Sequence, residues 1–326
     1  MLEVVDPGLL MTLQDTGRPG YADLGIPPSG ACDAWGLGVA NVLADAPPDG
    51  VAIEVTLGGG ELLVAETCAV SLAGADLGAE RDDGSPLRPD AVHRLAAGSR
   101  IRFGGPARGA RAYLGLAGGI VAAKVLGSAA THVQGGLGGL DGRALRAGDR
   151  LVPVRRGDLA MAGRAWPSAI APHPAAAEGP IRFVPGPDLG SLPAGALEEL
   201  VAAAWRVAGA CDRMGIRLEG RRLPAGSEIV SHPLVPGAIQ LPADGQPLLI
   251  MVDGPTVGGY PVIGVVPRAE LPRLGQLRPG DGVRFAPQGA EEARATWHEQ
   301  RAGFARAAEA LHADAVWHRL ADGAGG

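Results

Sequence analysis

The chain has 326 residues, which is enough for two domains or for one large β domain with a buried core. Its formal net charge of −6 and its lack of a basic patch argue against a nucleic-acid partner. The N-terminal stretch carries charges inside its apolar run, and no apolar stretch reaches the roughly 20 residues that span a bilayer. We therefore expect no signal peptide, no membrane segment and a cytoplasmic location.

The N-terminal part of the chain, residues 1–155, is rich in short strand patterns. LEVVDPG, LMTLQDTG, SRIRFGG and ARAYLGLAGG are apolar or alternating runs that end in turn residues. One helix is predicted at Ala34–Leu43, with Asp33 as N-cap and an apolar face at Trp35, Val39 and Val42. The 52 glycines and 28 prolines fall mainly at the ends of apolar runs, which indicates a mainly β fold with many tight turns.

A short phrase occurs three times, as LAAGSRIRF (95–103), LRAGDRLVP (145–153) and LRPGDGVRF (277–285). Each copy predicts a tight turn that leads into a strand, as at the corners of β-barrels. The spacing between copies is too irregular for a solenoid repeat.

The second half of the chain begins after an Ala/Pro-rich stretch at 156–180, which we interpret as a linker. A further β region is predicted at 181–287, with a helix at 197–208. Residues 288–326 form a tail in which Trp297, Phe304 and Leu311 have helical spacing, so we expect a terminal helix packed on the barrel or on a partner.

Two glycine-rich stretches resemble nucleotide-binding loops, but the sequence around them lacks the residues and helices that such loops require. GGLGG, within 132–149, has no crossover helix after it, as a dinucleotide fingerprint requires. DGPTVGGYPVIG, at 253–264, follows an apolar run, but it lacks the lysine and the helix of a P-loop, and Lys124 is the only lysine in the chain. We therefore expect no phosphate cradle of either type.

Polar residues also collect in two other loops. GRPGYADLGIPPSGACD, at 17–33, is an irregular loop held by glycines and prolines, with functional and purely structural interpretations equally open. In DRMGIRLEG, at 212–220, Asp212, Arg213 and Arg217 could bind an anion, although internal ion pairs are favoured. The three cysteines, Cys32, Cys68 and Cys211, are too widely spaced for a zinc site or a disulfide framework, and no metal site is predicted.

Taken together and in order, these loops resemble the biotin-dependent carboxyltransferase-like family, also called the allophanate hydrolase subunit 2 family. The matching phrases include LQDTGRPGYADLGIPPSGACD, AIEVTLGGGELL, GGLGGLDGRALRAGD, DRMGIRLEG and PGAIQLPADGQPLLIMVDGPTVGGYPVIG, and they run from about residue 10 to 287. The resemblance implies two cyclophilin-like β-barrel regions, at 1–155 and 181–287. Members of this family include the C subunit of 5-oxoprolinase and KipA-type regulators.

The resemblance implies an enzyme that is active only as part of a complex. A 5-oxoprolinase complex converts 5-oxo-L-proline, a lactam, to L-glutamate at the expense of ATP, with a B subunit of the allophanate hydrolase subunit 1 type and a further A subunit. Which of its chains binds ATP is left open. Two alternatives remain: a KipA-type protein that binds a kinase inhibitor, and the carboxyltransferase part of a biotin-dependent urea or amide carboxylase, with biotin carried on another chain.

The polar members of the matching loops are the residues that we expect to line a substrate pocket, without assigning a base or a nucleophile. They are Arg18, Tyr21, Ser29, Asp33, Arg213, Gln240, Gln246, Asp253, Thr256 and Tyr260. The chain departs from the family pattern at Ala129, where relatives often have arginine, at Pro255, where they often have glutamine, and at Ile216, in place of a tyrosine.

Overall fold

The structure is a computed structural model that describes residues 1–323, with side chains described to residue 313. Strands predominate over helix, which confirms the mainly β prediction. Among the described residues no helix is both long and apolar enough to cross a bilayer.

The strands of the first half are β1 (Leu2–Asp6), β2 (Leu10–Gln14), β3 (Ala52–Thr56), β4 (Glu61–Val64), β5 (Cys68–Asp76), β6 (Ala79–Arg81), β7 (Ala91–Leu95), β8 (Arg100–Phe103), β9 (Arg108–Leu116) and β10 (Arg150–Leu151). Those of the second half are β11 (Ile181–Pro185), β12 (Trp205–Cys211), β13 (Gly215–Glu219), β14 (His232–Pro233), β15 (Ala238–Gln240), β16 (Leu248–Ile250), β17 (Val257–Gly258), β18 (Val262–Val265), β19 (Gly282–Val283) and β20 (Phe285–Pro287). The α-helices are α1 (Ala34–Leu43), α2 (Ala196–Ala202), α3 (Leu271–Gly275) and α4 (Ala290–Gly323).

The chain forms two compact units. Unit 1 comprises Met1–Thr16, Ala34–His173 and the C-terminal segment from His298, and unit 2 comprises Gly17–Asp33 and Pro174–Trp297. The chain passes between the units at four places, one of which, between His173 and Pro174, lies within 156–180, and the loop Gly17–Asp33 belongs to the second unit. The domain limits proposed from the sequence stay a prediction.

Unit 1 contains two antiparallel five-stranded sheets, in the orders β10-β1-β4-β8-β6 and β2-β3-β9-β5-β7. Alternate residues of both sheets, such as Leu2 and Leu62 in the first and Leu13 and Leu114 in the second, meet in one hydrophobic core. Each such fully buried side chain stabilises the fold by roughly 1.5–3 kcal/mol. This core accounts for the alternating patterns in the sequence.

Helix α1 packs on the other side of the second sheet and has the predicted bounds. Every residue from Trp35 to Leu43 is buried, so the helix buries more than the single apolar face that was predicted. The Ser71 hydroxyl of β5 donates to the Ala40 carbonyl at 2.5 Å. A Cβ at Gly115 in β9 would lie 2.7 Å from the same carbonyl oxygen, so the helix approaches the sheet too closely for any other residue.

Helix α4 covers the predicted terminal helix, and within unit 1 its Phe304 contacts two tryptophans. The Phe304 ring lies 5.1 Å from that of Trp35 in edge-on geometry and 4.9 Å from that of Trp166. Trp166 lies in the segment 156–180, where its indole Nε1 donates to the Ala171 carbonyl at 2.8 Å. The terminal helix thus packs on helix α1 and on the segment 156–180 of its own chain, whereas the sequence predicted packing on the barrel or on a partner.

Unit 2 is built on one eight-stranded sheet in the order β19-β12-β13-β16-β15-β18-β11-β20. Its two outermost strands, β19 and β20, are separated in the chain by a single residue, Arg284. The sheet must therefore curl until its edges almost meet, which makes it a nearly closed barrel. The rings of Phe183 and Phe285 fill its core at 6.0 Å, in edge-on geometry.

The prediction of a helix at 197–208 is wrong for the second half of that range. Helix α2 ends at Ala202, and β12 begins at Trp205. In β12 the buried Trp205 and Val207 flank the exposed Arg206, which is the period of a strand. The Trp205 indole donates to the carbonyl of Leu200 at 3.0 Å, so the tryptophan ends the helix instead of extending it.

The three repeated phrases each lead into a strand, as predicted: β8, β10 and β19. In two of them an aspartate closes the turn in the same way, because Asp149 accepts from the Arg146 N–H at 2.7 Å and Asp281 accepts from the Arg278 N–H at 2.9 Å. Such aspartate turns fix the backbone locally without long-range contacts.

Candidate functional site

All ten residues that the sequence singles out fall in unit 2. They lie on the loop Gly17–Asp33, on the turn between β12 and β13, at the end of β15, and between β15 and β18. The fold therefore brings chain-distant loops into one unit, which is the arrangement that a loop-built pocket requires.

The centre of this arrangement is the ion pair of Arg213 and Asp253. Arg213 Nε lies 2.7 Å from Asp253 Oδ2, and both side chains are buried. Arg213 Nη2 donates to the Gly30 carbonyl at 2.7 Å, and Nη1 lies 3.5 Å from the Cys32 sulfur. The internal ion pair favoured by the sequence is thus confirmed, and it links three loops through one guanidinium.

The other charged residues of the 212–220 stretch have separate roles. Asp212 Oδ1 accepts from the backbone N–H groups of Met214 and Gly215, at 2.7 and 3.1 Å, and so shapes the turn. Arg217 pairs with Asp244 at 3.0 Å on the surface. These contacts do not favour the anion-binding interpretation.

The loop Gly17–Asp33 is held in an unusual backbone conformation at Ser29. Ser29 has φ of 53°, in the left-handed region that residues other than glycine, asparagine and aspartate rarely adopt. Its N–H donates to the Val252 carbonyl at 2.9 Å. Its hydroxyl oxygen is buried and, among the described residues, has no hydrogen-bond partner. A strained residue with a spare buried hydroxyl is typical of functional loops.

The start of the same loop is equally tightly packed. The Arg18 N–H donates to the Pro28 carbonyl at 2.7 Å, and the Arg18 side chain is buried. A Cβ at Gly17 would lie 2.5 Å from the Pro28 carbonyl oxygen. Tyr21 precedes a single 3-10 turn at Ala22–Leu24 and is half-buried. The loop therefore closes on itself.

The end of the loop is fixed by a residue that sequence reasoning missed. Asp33 is fully buried and accepts a hydrogen bond from Gln276 Nε2 at 2.6 Å, across 243 residues of chain. The neighbouring Gly275 packs against the same segment, because a Cβ there would lie 2.4 Å from the Cys32 carbonyl oxygen. Nothing in the local sequence of Gln276 signals this partner.

Strand β14, which precedes β15, and strand β17, which precedes β18, form a separate two-stranded ribbon. Thr256 is buried on its inner side, while Tyr260 is exposed. Gln240 is buried, and its Nε2 donates to the Tyr260 carbonyl at 3.2 Å. A Cβ at Gly258 would lie 2.7 Å from that same Nε2, so the glycine allows the ribbon to approach the barrel.

Gln246 is bonded elsewhere. Its Oε1 accepts from the Gly220 N–H at 2.9 Å, and its Nε2 donates to the Gly220 carbonyl at 3.2 Å. Both ends of its amide are thus bonded to one backbone residue, which is the geometry of a structural clamp.

Both glycine-rich stretches lack a phosphate-cradling helix, as expected. Residues 253–264 continue into β17 and β18. GGLGG lies in a series of turns in which His132 and Leu137 form an isolated bridge. Among the described residues no group of three or more His, Cys, Asp or Glu side chains could hold a metal ion.

The positions that depart from the family pattern differ in accessibility. Ala129 is fully buried, and its N–H donates to Asp15 Oδ2 at 2.6 Å. The Ser128 hydroxyl binds the other oxygen of the same carboxylate at 2.5 Å. Ile216 lies in the core of unit 2. Pro255, in contrast, is exposed.

Comparison with known proteins identifies the family. A family model described as the carboxyltransferase domain, subdomain A and B, matches residues 24–287. This chain belongs to the carboxyltransferase-domain family. The resemblance found in the sequence is therefore confirmed.

Two curated relatives show how this family region is used in other proteins. The chain is 33% identical to the C subunit of 5-oxoprolinase from Escherichia coli (strain K12), over 96% of this chain and 99% of that protein. It is 32% identical to the urea amidolyase of Lachancea kluyveri, over 93% of this chain but only 18% of that protein.

A solved structure agrees with this assignment. The Kluyveromyces lactis urea carboxylase superposes on 94% of this chain with a TM-score of 0.84 and 28% identity, and the match covers 29% of that chain. The carboxyltransferase-domain chain thus corresponds to a whole subunit in one relative and to a part of a much longer polypeptide in others.

Proposed function

We propose that this carboxyltransferase-domain chain is the C subunit of an ATP-dependent 5-oxoprolinase, which opens 5-oxo-L-proline to L-glutamate together with an A and a B subunit. The observation that carries the proposal is coverage: the match extends over 99% of the Escherichia coli 5-oxoprolinase C subunit. The corresponding share of the urea amidolyase is 18%. The complex is proposed to be cytoplasmic, as the sequence predicts.

Opening a lactam requires donors for the negative charge that develops on the carbonyl oxygen. We assign the Ser29 hydroxyl as one such donor, since it is held in a strained, rigid loop and has no hydrogen-bond partner among the described residues. Arg213 is assigned to positioning, because its charge is already neutralised by Asp253. Thr256 and Tyr260, which flank β17, and Gln240 of β15 are assigned as further pocket residues. No base or nucleophile is assigned.

ATP and biotin are treated as groups of the complex. Loop 253–264 lacks the lysine and the following helix of a P-loop, so we assign no phosphate-binding role to this loop. The single lysine, Lys124, lies between Ala123 and Val125, not between the methionines of a biotin attachment site. Any biotin would therefore be carried on another chain, while ATP is assigned to the complex without a choice among its subunits.

Two other functions have specific support. The superposition on urea carboxylase favours carboxyl transfer from a biotin carrier to urea or an amide. The replacement of arginine by Ala129 and of glutamine by Pro255 favours a KipA-type role, in which the chain binds a subunit-1-type partner without turnover. The genes that neighbour this one distinguish the three: genes for an A and a B subunit indicate 5-oxoprolinase, and carboxylase genes indicate carboxyl transfer.

The direct test is reconstitution of this chain with its A and B subunits. We expect release of glutamate from 5-oxoproline that depends on all three chains and on ATP hydrolysis. Complex formation without turnover would support the KipA-type role, and carboxylation of urea with a biotinylated carrier would support the carboxylase. Ser29→Ala should lower kcat by roughly 10- to 1,000-fold if the hydroxyl is an oxyanion donor. The control, Ser227→Ala on an exposed loop, should leave kcat unchanged.

A further inference from the structure

The side of the β14–β17 ribbon that faces the barrel carries a histidine, His232. It pairs with Gly258 across the ribbon. A Cβ at Gly258 would lie 2.6 Å from Leu234 Cδ1 and 2.7 Å from Gln240 Nε2, so this side of the glycine is turned toward the barrel. Leu234 is buried there in an apolar cluster. Because opposed residues and residues two apart share a face, the His232 side chain lies on the barrel side as well.

Two of the expected pocket residues share this side. Thr256 and Tyr260 lie two positions before and after Gly258, so the alternation of side chains places both on the side of His232. Diagonal neighbours of this kind have Cβ atoms roughly 7–8 Å apart. Gly258 has no side chain, so the imidazole has room between the two hydroxyl-bearing residues. Thr256 is buried, Tyr260 is exposed and the His232 side chain is 28% exposed, so the histidine stands where a buried wall opens to solvent.

Asp188 holds the His232 ring in one orientation. His232 Nε2 lies 3.0 Å from Asp188 Oδ2, which also accepts from the Val262 N–H at 2.8 Å. An ionised carboxylate can only accept hydrogen bonds, so Nε2 carries a proton and the other nitrogen, Nδ1, is the one that gains and loses a proton. Nδ1 lies 3.1 Å from the Pro233 carbonyl oxygen, to which it donates when it is protonated. A histidine oriented by a carboxylate is suited to proton transfer.

The loop that holds Ser29 is tied to the same part of unit 2. The Ser29 N–H donates to the Val252 carbonyl at 2.9 Å. Val252 lies four positions before Thr256 in the chain. Four residues of fully extended chain span at most about 14 Å, so the assigned oxyanion donor is anchored close to the side of the ribbon that carries His232.

We propose that His232 is the proton donor of lactam opening and that Asp188 positions its ring, an inference that rests on the proposed function. In the ring opening, water adds to the lactam carbonyl carbon, and the bond between that carbon and the ring nitrogen breaks. The electron pair of the bond remains on the nitrogen, which takes a proton from His232 Nδ1. The added water releases a proton to the solvent, and Nδ1 recovers one from it. ATP hydrolysis, which belongs to the complex, supplies the driving force.

The test measures glutamate release by this chain reconstituted with its A and B subunits. His232→Gln should lower kcat by roughly 100- to 10,000-fold, as the loss of a general acid does, with little change in KM. In the unmodified complex kcat/KM should fall as the pH rises and the proton donor loses its proton. That limb of the pH profile should be absent in His232→Gln.

The control variant is His312→Gln. His312 is an exposed histidine whose Nδ1 also lies against a backbone carbonyl, that of Ala308 at 2.8 Å, but it belongs to unit 1. Its replacement should leave kcat and the pH profile unchanged. Asp188→Asn should lower kcat at least tenfold because the ring is no longer oriented, and Asp188→Glu, which keeps a carboxylate, should recover part of that loss. Thermal melting followed by circular dichroism confirms that each variant is folded.

Chemical rescue separates proton transfer from a merely structural tie between the ribbon and the barrel. In His232→Gly, added imidazole should raise kcat at least tenfold, and more at low pH than at high pH, because only the protonated ring donates. An unchanged kcat in His232→Gln would overturn the inference and leave the proposed function standing. So would a folded His232→Gln that loses activity but keeps the pH profile, or a folded His232→Gly that imidazole does not rescue. An unmodified complex that releases no glutamate would refute the proposed function and this inference together.

Discussion

The buried ion pair of Arg213 and Asp253 predicts a large and local loss of stability when it is broken. Arg213→Met keeps the apolar stem but removes the charge, and it leaves the Asp253 carboxylate, 7% exposed, without its guanidinium. Breaking such a buried pair from one side costs about 3–5 kcal/mol. Whole domains are stable by only about 5–15 kcal/mol, so the loss should be about a fifth of the total or more.

The matched control is Arg217→Met, which breaks an exposed pair whose side chains are 44% and 43% exposed. That change should cost no more than about 1 kcal/mol. Replacing both partners, as in Arg213→Met with Asp253→Leu, should recover most of the loss, because no buried charge is left uncompensated. The comparison of the three variants therefore separates the effect of an unpaired buried charge from the effect of lost side-chain packing.

The assay is urea unfolding followed by tryptophan fluorescence, combined with hydrogen exchange of the loop Gly17–Asp33. Arg213 holds this loop through the Gly30 carbonyl, so Arg213→Met should speed exchange at the Ser29 N–H, which is bonded to Val252. The reasoning is refuted if Arg213→Met and Arg217→Met differ by less than about 1 kcal/mol, or if exchange in the loop is unchanged.

Three further predictions concern other parts of the fold. Gly237→Ala should destabilise the protein by more than about 2 kcal/mol relative to Gly280→Ala. Both glycines have positive φ, but only at Gly237 would a Cβ lie 2.3 Å from a carbonyl oxygen. Equal urea midpoints for the two variants would contradict this. Hydrogen bonds from Arg143 lower the pKa of Asp149, so the stability that Asp149 adds over Asp149→Asn should be complete above about pH 5 and vanish as the pH falls through its folded pKa. Unfolding free energies measured from strongly acidic to neutral pH check the sign, and a difference that grows on acidification would refute it. Ala129→Arg should prevent folding or lower the melting temperature sharply, since the methyl group is fully buried, and an unchanged melting curve would show that the site has room.

Local patterns predicted local structure well. Helix α1 has the predicted bounds because its apolar residues are bracketed by turn residues on both sides. Two of the three repeated phrases lead into strands through an aspartate that closes a turn within three residues. The error at 197–208 arose where a helical and a strand pattern adjoin without a glycine or proline between them. There Trp205 fits both the helical and the strand period, and only its burial in the barrel shows that it belongs to a strand.

The ten candidate residues share one unit, as loops of one pocket would, but their hydrogen-bond partners could not be predicted from the sequence. The loops were recognisable by composition and by order, and all ten residues fall in one unit. The partners of Arg213 could not be predicted, because Asp253 and Gly30 lie 40 and 183 positions away. Hydrogen-bond partners of this kind are set by sheet order, which a single sequence does not encode in any local pattern.

The near closure of the unit 2 barrel by β19 and β20 has a consequence for biosynthesis. Of the segments of unit 2, Gly17–Asp33 is synthesised first, whereas the last barrel strand ends at Pro287. Until that residue has been made, the barrel keeps two open edges and the early loop lacks the strands on which it rests. Because long-range pairing of this kind is slow and exposes strand edges, the nascent protein has a prolonged demand for chaperone protection. Truncation before residue 287 should therefore yield insoluble protein and not a smaller stable domain.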